Sequence, residues 1–390
     1  MADIVKYGII GADFTLRASM VLNNAPADRS KLVAICDTNV KMLERYQEQN
    51  PGTDVRCCSS LEDFLATPGM EAVFIMVRDV YHEELAVASL NAGKAVYLEK
   101  PLAITLEGCD RILETAVRNK SKLFIGHNMR YFDSVLKMKE IIDSGVIGEI
   151  QSVWVRHFVN YGSCYYHHWC AEQKNCNGLL LQKGAHDIDV IHWLTGAYTS
   201  RVVGMGRLSV YNRTTGHLEP GETPDRKKAF SDSTWPPLEI KKLNPAMDVE
   251  DHNMILMQLD NGVQASYEHC MYAPDAERNY TFIGDKGRLE NIGDTGDCEI
   301  HVWVTRTSRS TPDIVHKIKA RTGSHGGSDA LIVEAFFDYI QYGKKPNVSP
   351  IAARYAVATG VMGHKSMRNG NMPQDIPALP QYIVDYFENN

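Results

Sequence analysis

Two stretches of this 390-residue sequence carry side chains suited to moving a proton on or off a hydroxyl group. The first is Leu98-Glu99-Lys100-Pro101-Leu102, which closes a short β-branched run. An ammonium there polarises a hydroxyl or carbonyl oxygen, and a proline fixes an unusual turn, for which a cis bond is one route. The second is the segment from Gly178 to Leu194, whose pattern predicts one helix. On a continuous helix Gln182 and His186 are four apart and His186 and Asp189 three apart, so the three share a face, with Lys183 and Asp187 on an adjacent stripe. An imidazole with a pKa of about 6.5 takes the proton of a hydroxyl as hydride leaves the same carbon, and its neighbours hold its tautomer. The bland alternatives are a structural Lys-Pro turn and a polar stripe facing solvent. His192, beside Trp193 and Leu194, reads as a packing residue.

A third stretch suggests what would take the hydride. Gly8-Ile-Ile-Gly11-Ala12-Asp13-Phe14-Thr15-Leu16 follows a strand-like run, and a G-x-G-x-x-G dinucleotide fingerprint would start at Gly11. Only its first glycine is in place, and Asp13 brings a carboxylate where the backbone normally approaches a pyrophosphate. Asp37, 26 residues after Gly11, ends the second strand at the spacing of an acidic residue that accepts from the ribose hydroxyls. A carboxylate there repels a 2′-phosphate, so NAD is expected in preference to NADP. The structural reading of Asp37 is the cap of the following helix.

These residues need a frame. Strands are expected at 5–11, 32–37, 54–58, 72–77, 95–98 and 123–126, with amphipathic helices at 41–49 and 107–118, a βαβ alternation that predicts a doubly wound parallel sheet. Its carboxyl edge would collect Gly8, Gly11, Ala12, Asp13, Phe14, Asp37, Val77, His82, Glu99, Lys100, Pro101 and Asn128 around a cofactor. From residue 149 the pattern alternates apolar and polar: strands at 151–159, 201–209, 254–258 and 263–267, with an Asp260-Asn261-Gly262 hairpin turn. That half reads as an α+β domain with a largely antiparallel open sheet. The expected division is a Rossmann domain over 1–128 and a substrate-binding and oligomerisation domain over 129–390. Residues 210–247, rich in Pro, Gly, Thr and Lys, form a long insertion, a lid or an oligomer contact, and helix 328–342 is expected to pack back between the domains.

Just before the 178–194 segment, Tyr161, Tyr165, Tyr166, His167, His168 and Trp169 make an aromatic, imidazole-rich loop. Aromatic faces stack on sugar C–H surfaces and imidazoles bond hydroxyls, so a carbohydrate contact is expected from Tyr161, His168, Trp169, Gln182 and Lys183. No ligand spacing supports a metal site.

The composition excludes whole classes of partner. Forty-one Lys and Arg against 48 Asp and Glu leave a net charge of −7, so no basic field draws the chain to nucleic acid or an anionic membrane. The longest apolar runs fall well short of the roughly 20 residues that span a bilayer. The first residues lack the pattern of a signal peptide, and nine cysteines without a CxxC pair read as reduced thiols, which together suggest the cytoplasm.

Taken together, Glu99-Lys100-Pro101, the Gly8/Gly11 strand, Gly126-His127-Asn128-Met129-Arg130-Tyr131, the helix Gly184-Ala-His186-Asp-Ile-Asp189 to Gly196 and the late motif Ile283-Gly284-Asp-Lys-Gly287 resemble the glucose-fructose oxidoreductase/inositol dehydrogenase/MocA family over nearly the whole chain. The resemblance implies a Rossmann domain, an open-sheet second domain that often mediates oligomers, a nicotinamide cofactor, and a sugar, polyol or glycoside as substrate. It assigns Lys100 as catalytic lysine and His186 as acid/base histidine. His82 matches a histidine that commonly follows the fourth strand, and Arg130 and Tyr131 fall close enough to orient substrate. One departure stands out: polyol dehydrogenases of the family carry Asp where this chain has Gln182, and glutamine accepts no proton. Two rival activities share the fold, an NAD-dependent glycosidase working by oxidation and elimination, and a sugar-sensing regulator without turnover.

Overall fold

In the computed structural model, which describes residues 4–14, 17–294, 296–306, 310–319 and 321–389, the chain divides into two compact units. Thr15 and Leu16, the last two positions of the fingerprint loop, lie outside the described residues.

The first unit comprises Met1–Tyr131, Thr322–Arg354 and Leu379–Asn390. Its strands β1 (Val5–Ile10), β2 (Ser30–Cys36), β3 (Arg56–Cys58), β4 (Ala72–Ile75), β5 (Ala95–Leu98) and β6 (Leu123–Ile125) form one sheet in the order β3-β2-β1-β4-β5-β6, every pair parallel. The runs are near-continuously apolar because both faces of a parallel sheet are covered. Ile9, Val73, Phe74, Val96, Leu98 and Phe124 are fully buried. The order reverses between β1 and β4, and ligands of open α/β sheets bind at such a switch point, outside the carboxyl ends of the strands.

The division expected after residue 128 is corrected by the chain's return. Helix Ser328–Tyr342 brings Phe336 to 4.9 Å and Phe337 to 5.8 Å from Phe74. The Lys122 ammonium donates to the Tyr339 carbonyl at 2.9 Å, and the Tyr386 hydroxyl to the Ser121 carbonyl at 3.2 Å. Residues 322–354 and 379–390 therefore complete the first unit's core and are not part of the second. A sequence pattern shows that a helix is apolar, not which sheet it covers.

The second unit comprises Phe132–Arg321 and Tyr355–Ala378. Strands β7 (Ile150–Phe158), β8 (Thr199–Arg207), β9 (His252–Leu259), β10 (Gln264–Cys270), β11 (Glu277–Gly284), β12 (Arg288–Ile292), β13 (Cys298–Trp303), β14 (Ile314–Ile318) and β15 (Gln374–Asp375) form a sheet in the order β14-β13-β12-β11-β7-β10-β9-β8-β15. Among the described residues, β10 and β7 are the one pair of this sheet that runs parallel. Burial alternates along β9, the mark of a sheet with one covered face. On the other face Trp154, Met205, Met254 and Leu256 are each more than half exposed, and Trp154 and Leu256 line a shallow concavity of about 280 Å³. The 210–247 insertion is anchored at Tyr211, Ile240 and Leu243, which are buried against Tyr166, Cys170, Leu179 and Met271, while most residues between them are exposed.

Candidate functional site

The first unit places its candidates along the carboxyl edge of the sheet. Gly11, directly after β1, has φ +98°, and a Cβ there would lie 2.5 Å from the Met76 carbonyl oxygen, so only glycine lets the loop pass this close to the end of β4. Gly8 sits inside β1 against Phe64 and Met70, a packing position. The Ala12 amide donates to Asp37 Oδ2 at 2.7 Å and the Asn39 amide to Asp37 Oδ1 at 2.8 Å. The cap of helix Val40–Gln49 is Asn39, which corrects the reading of Asp37 as a helix cap. Asp37 instead ties the glycine loop to the end of β2. Each of its oxygens retains acceptor capacity. Ala12, Asp13, Phe14, Met42, Arg45 and Tyr46 line a small cleft nearby.

At the end of β5 the Lys100–Pro101 peptide is cis, and Lys100 is half-buried. The His82 ring is fully buried, with Nδ1 2.7 Å from the Pro101 carbonyl and Nε2 3.3 Å from that of Val77. It joins the loops that follow β4 and β5, and burial holds it below its usual pKa. Glu99 is buried and accepts from Arg17 Nη2 at 2.5 Å, so its carboxylate faces a protein cation. Asn128 donates to Asp329 Oδ1 at 3.1 Å, and Arg130 to the Asn347 carbonyl at 2.5 Å. Arg130 and Tyr131 are buried within this unit.

Three charged residues here escaped the sequence reading. Burial pushes the Asp79 carboxyl up to about 7, against the pull of the Lys100 ammonium and with the push of the Glu99 carboxylate. Arg17 bridges Glu99 and Asp329. Asp329 is held at about 2, its hydrogen bond with His325 and the Arg17 charge outweighing burial. The glycine-rich run Gly323-Ser-His-Gly-Gly327 before a helix was a readable signal for the last of these.

The second unit carries the remaining candidates, and it breaks the expected helix. Leu179–Gln182 and Gly184–Thr195 are separate helices, with Lys183 between them at φ −110° and ψ −47°. The interruption is one residue, with Lys183 itself in the right-handed helical region, and His186 and Asp189 lie together on the helix Gly184–Thr195. A Cβ on Gly184 would come 3.0 Å from the Tyr267 ring, so the start of this helix packs closely on that residue. Asp187, fully buried, accepts from Tyr267 at 2.9 Å and from Tyr280, and pairs with Arg278 at 2.8 Å. His157 Nδ1 lies 3.3 Å away, its pKa lowered to about 4 by burial and by Arg278.

Lys183 is half-buried, its ammonium 5.7 Å from the Tyr161 ring centre and 6.0 Å from that of Tyr165, and burial followed by the Arg278 charge lowers its pKa to about 8. His186 is half-buried on the first turn of its helix. Of the aromatic loop, Tyr166 and His167 are buried and spent on the Glu250 and Lys242 carbonyls, whereas Tyr161, Tyr165, His168 and Trp169 keep partial exposure. His192 is buried against Thr199, as its neighbours suggested.

A parallel sheet with this strand order, a glycine at the first turn and an acidic residue ending β2 define a dinucleotide-binding oxidoreductase fold. Residues 5–127 match the family described as oxidoreductase family, NAD-binding Rossmann fold, and residues 139–375 its C-terminal alpha/beta domain. The chain belongs to this family, that of glucose-fructose oxidoreductase, inositol dehydrogenase and MocA. It is 24% identical over 318 residues to YteT of Bacillus subtilis (strain 168), covering 71% of this chain and 74% of that protein. It is 31% identical over 194 residues to an inositol 2-dehydrogenase of Salmonella typhimurium (strain LT2), covering 50% of this chain and 54% of the enzyme, so the match spans about half the length of that relative. In fold it is similar to the WlbA dehydrogenase from Bordetella pertussis, solved with NADH and UDP-GlcNAcA, at a TM-score of 0.73 and 18% identity over 97% of this chain and 99% of that one. Among the described residues no helix is long and apolar enough to cross a membrane, and no group of three or more His, Cys, Asp or Glu is placed to hold a metal.

Proposed function

We propose that the protein is an NAD(H)-dependent oxidoreductase that moves a hydride between nicotinamide and a hydroxyl-bearing carbon of a sugar, polyol or glycoside. The observation that carries this reading is Lys100 at the carboxyl end of β5, half-buried beside the Asp79 carboxyl. The fit to a dinucleotide rests on Gly11, where a Cβ would collide with β4, and on Asp37, presented at the end of β2 by two backbone amides. Asp37 would accept from the adenosine ribose and disfavour a 2′-phosphate, hence NAD over NADP. The bound nicotinamide supplies a hydride acceptor or donor. Lys100 then polarises the substrate oxygen, and the family motif assigns proton exchange to His186. Tyr161, Tyr165 and Trp169 offer aromatic faces to a sugar ring.

Gln182 in place of aspartate keeps the oxidation-elimination glycosidase as a second reading. One experiment separates them: the purified chain is incubated with a panel of sugars, polyols and glycosides and NAD or NADP, with reduced cofactor and products both quantified. Net NADH with an oxidised sugar supports the dehydrogenase, aglycone release without net NADH supports the glycosidase, and cofactor binding without turnover sinks both. The exposed apolar face around Trp154 and Leu256 suits a homo-oligomer contact.

A further inference from the structure

Lys183 directly precedes the helix that carries His186, and its carbonyl receives the His186 amide at 3.4 Å. The side chain is half-buried, with the Tyr161 and Tyr165 rings beside its ammonium. Among the described residues no carboxylate pairs with that ammonium, and no carbonyl or hydroxyl accepts a hydrogen bond from it. A lysine withdrawn from water ordinarily has a partner, because a lone desolvated cation is costly.

The carboxylates whose charges reach it are engaged elsewhere. Asp187 lies 2.8 Å from Arg278 Nε and accepts from Tyr267 and Tyr280, and Asp294 takes Arg278 Nη1 at 2.9 Å. Burial and the Arg278 charge outweigh their attraction and leave Lys183 at about 8, so the surroundings supply less negative charge than the ammonium calls for. The two tyrosine rings soften the charge, but a cation–π contact is weaker than a charged hydrogen bond. Both rings are partly exposed, as Lys183 is, so a ligand can reach the ammonium. A sugar hydroxyl brings no charge to it. A phosphate brings about two, and the second meets Asp187 and Asp294 as repulsion. A carboxylate brings a single charge and two acceptor oxygens.

We propose that Lys183 binds a carboxylate of the substrate, so that the second unit selects a sugar acid over a neutral sugar. This rests on the oxidoreductase reading above and narrows its substrate class. Lys183 is then a specificity-determining residue, and His186, three residues further on, keeps the proton exchange that the family motif assigns to it.

The test uses the full chain and matched probes: glucose with glucuronate and gluconate, galactose with galacturonate, and mannose with mannuronate. Binding is measured by calorimetry in saturating NADH, and turnover with NAD is followed as reduced cofactor. At least one acid should bind about 30-fold or more tighter than its neutral counterpart, the scale of a charged hydrogen bond, and Lys183→Met should bring that ratio to within about threefold of unity. Lys183→Arg, which keeps the charge, should retain a preference for the acid. A second measurement needs no variant. Affinity of the parent for the acid should hold below pH 8 and fall about tenfold per pH unit above it, as the ammonium loses its proton. Of the groups that face Lys183, Arg278 is raised and Asp187 lowered away from this range, Cys164 is pushed up to about 12, and Asp294 is the remaining charge. No acid preferred over its neutral counterpart, a preference that survives in Lys183→Met, or an affinity unchanged between pH 7 and 9.5 overturns the proposal. Turnover of neutral sugars with the acids refused overturns it and leaves the oxidoreductase reading standing. Acids bound through Lys183 with no sugar or acid oxidised uphold the carboxylate site and remove that reading.

Discussion

Asp187 Oδ1 lies 2.8 Å from Arg278 Nε, both side chains buried, so the helix that carries His186 is fastened to β11 by a buried ion pair. Tyr267 and Tyr280 complete the acceptor shell of the carboxylate, and Asp294 takes Arg278 Nη1 at 2.9 Å. Removing one member of such a pair strands a desolvated charge, which costs about 3–5 kcal/mol. Asp187→Ala should therefore lower the stability of the purified protein by that order in urea or thermal unfolding. The double variant Asp187→Ala/Arg278→Met should recover part of the loss. A single variant within about 1 kcal/mol of the parent would show that the pair is not the anchor described.

The pH dependence of the first unit has a definite sign. Asp79 has its carboxyl raised from 3.8 to about 7 by burial. Between those values the folded chain holds a proton that the unfolded chain has released, so folding is favoured at low pH and the benefit is lost as pH rises through 7. The raised value corresponds to an upper bound on the order of 4 kcal/mol. Asp79→Asn, which cannot ionise, should flatten the decline in stability between pH 4 and 7. It should also be at least as stable as the parent at pH 8. Equal pH slopes for parent and variant would place the Asp79 titration elsewhere.

Much of this could be read from the residues before any coordinates. Period and length located all six parallel strands to within two residues, because continuous apolar runs separated by amphipathic helices leave few other solutions. Asp37 and Lys100 were placed by their positions at strand ends. The segment 178–194, expected as one helix, is two, Leu179–Gln182 and Gly184–Thr195, meeting at Lys183, because periodicity sees one apolar-periodic run and does not register a single turn residue within it. The same holds for Arg17, Asp79 and Asp329. Each owes its role to a partner from a different element, and single-sequence spacing carries no information about such pairings.

Asp37 carries the next expectation. The Ala12 and Asn39 amides fix both of its oxygens, so replacement by Ala removes the ribose acceptor and frees the glycine loop together. Asp37→Ala should weaken NAD binding by about tenfold or more, the loss of a charged hydrogen-bond partner being worth roughly 1.5–3 kcal/mol. It should also narrow the preference for NAD over NADP, since the repelling carboxylate is gone and Arg45 lines the cleft beside Ala12, whose amide Asp37 holds. Titration of both cofactors by intrinsic fluorescence quenching measures this directly. Unaltered affinities for both would remove Asp37 from the cofactor site.

Lys100 is the residue on which the chemical reading depends most. Its charge lies close enough to the Asp79 carboxyl to oppose the effect of burial, and the carbonyl of the next residue, Pro101, is held by the buried His82. The ammonium is thus presented at the carboxyl edge on a braced turn. Lys100→Met keeps most of the stem and removes the charge. It should lower kcat by about 100-fold or more, the usual scale for a positioned acid/base group, while NADH affinity stays within a few-fold. Lys100→Arg should rescue little, because the planar guanidinium cannot occupy the same point. The two readouts separate the alternatives: a lost kcat with retained binding supports polarisation of the substrate oxygen, and parallel loss of binding would mean that Lys100 serves the cofactor instead. Near-parental turnover by Lys100→Met would remove the central residue of the mechanism, and with it the case for hydride transfer at this edge of the sheet.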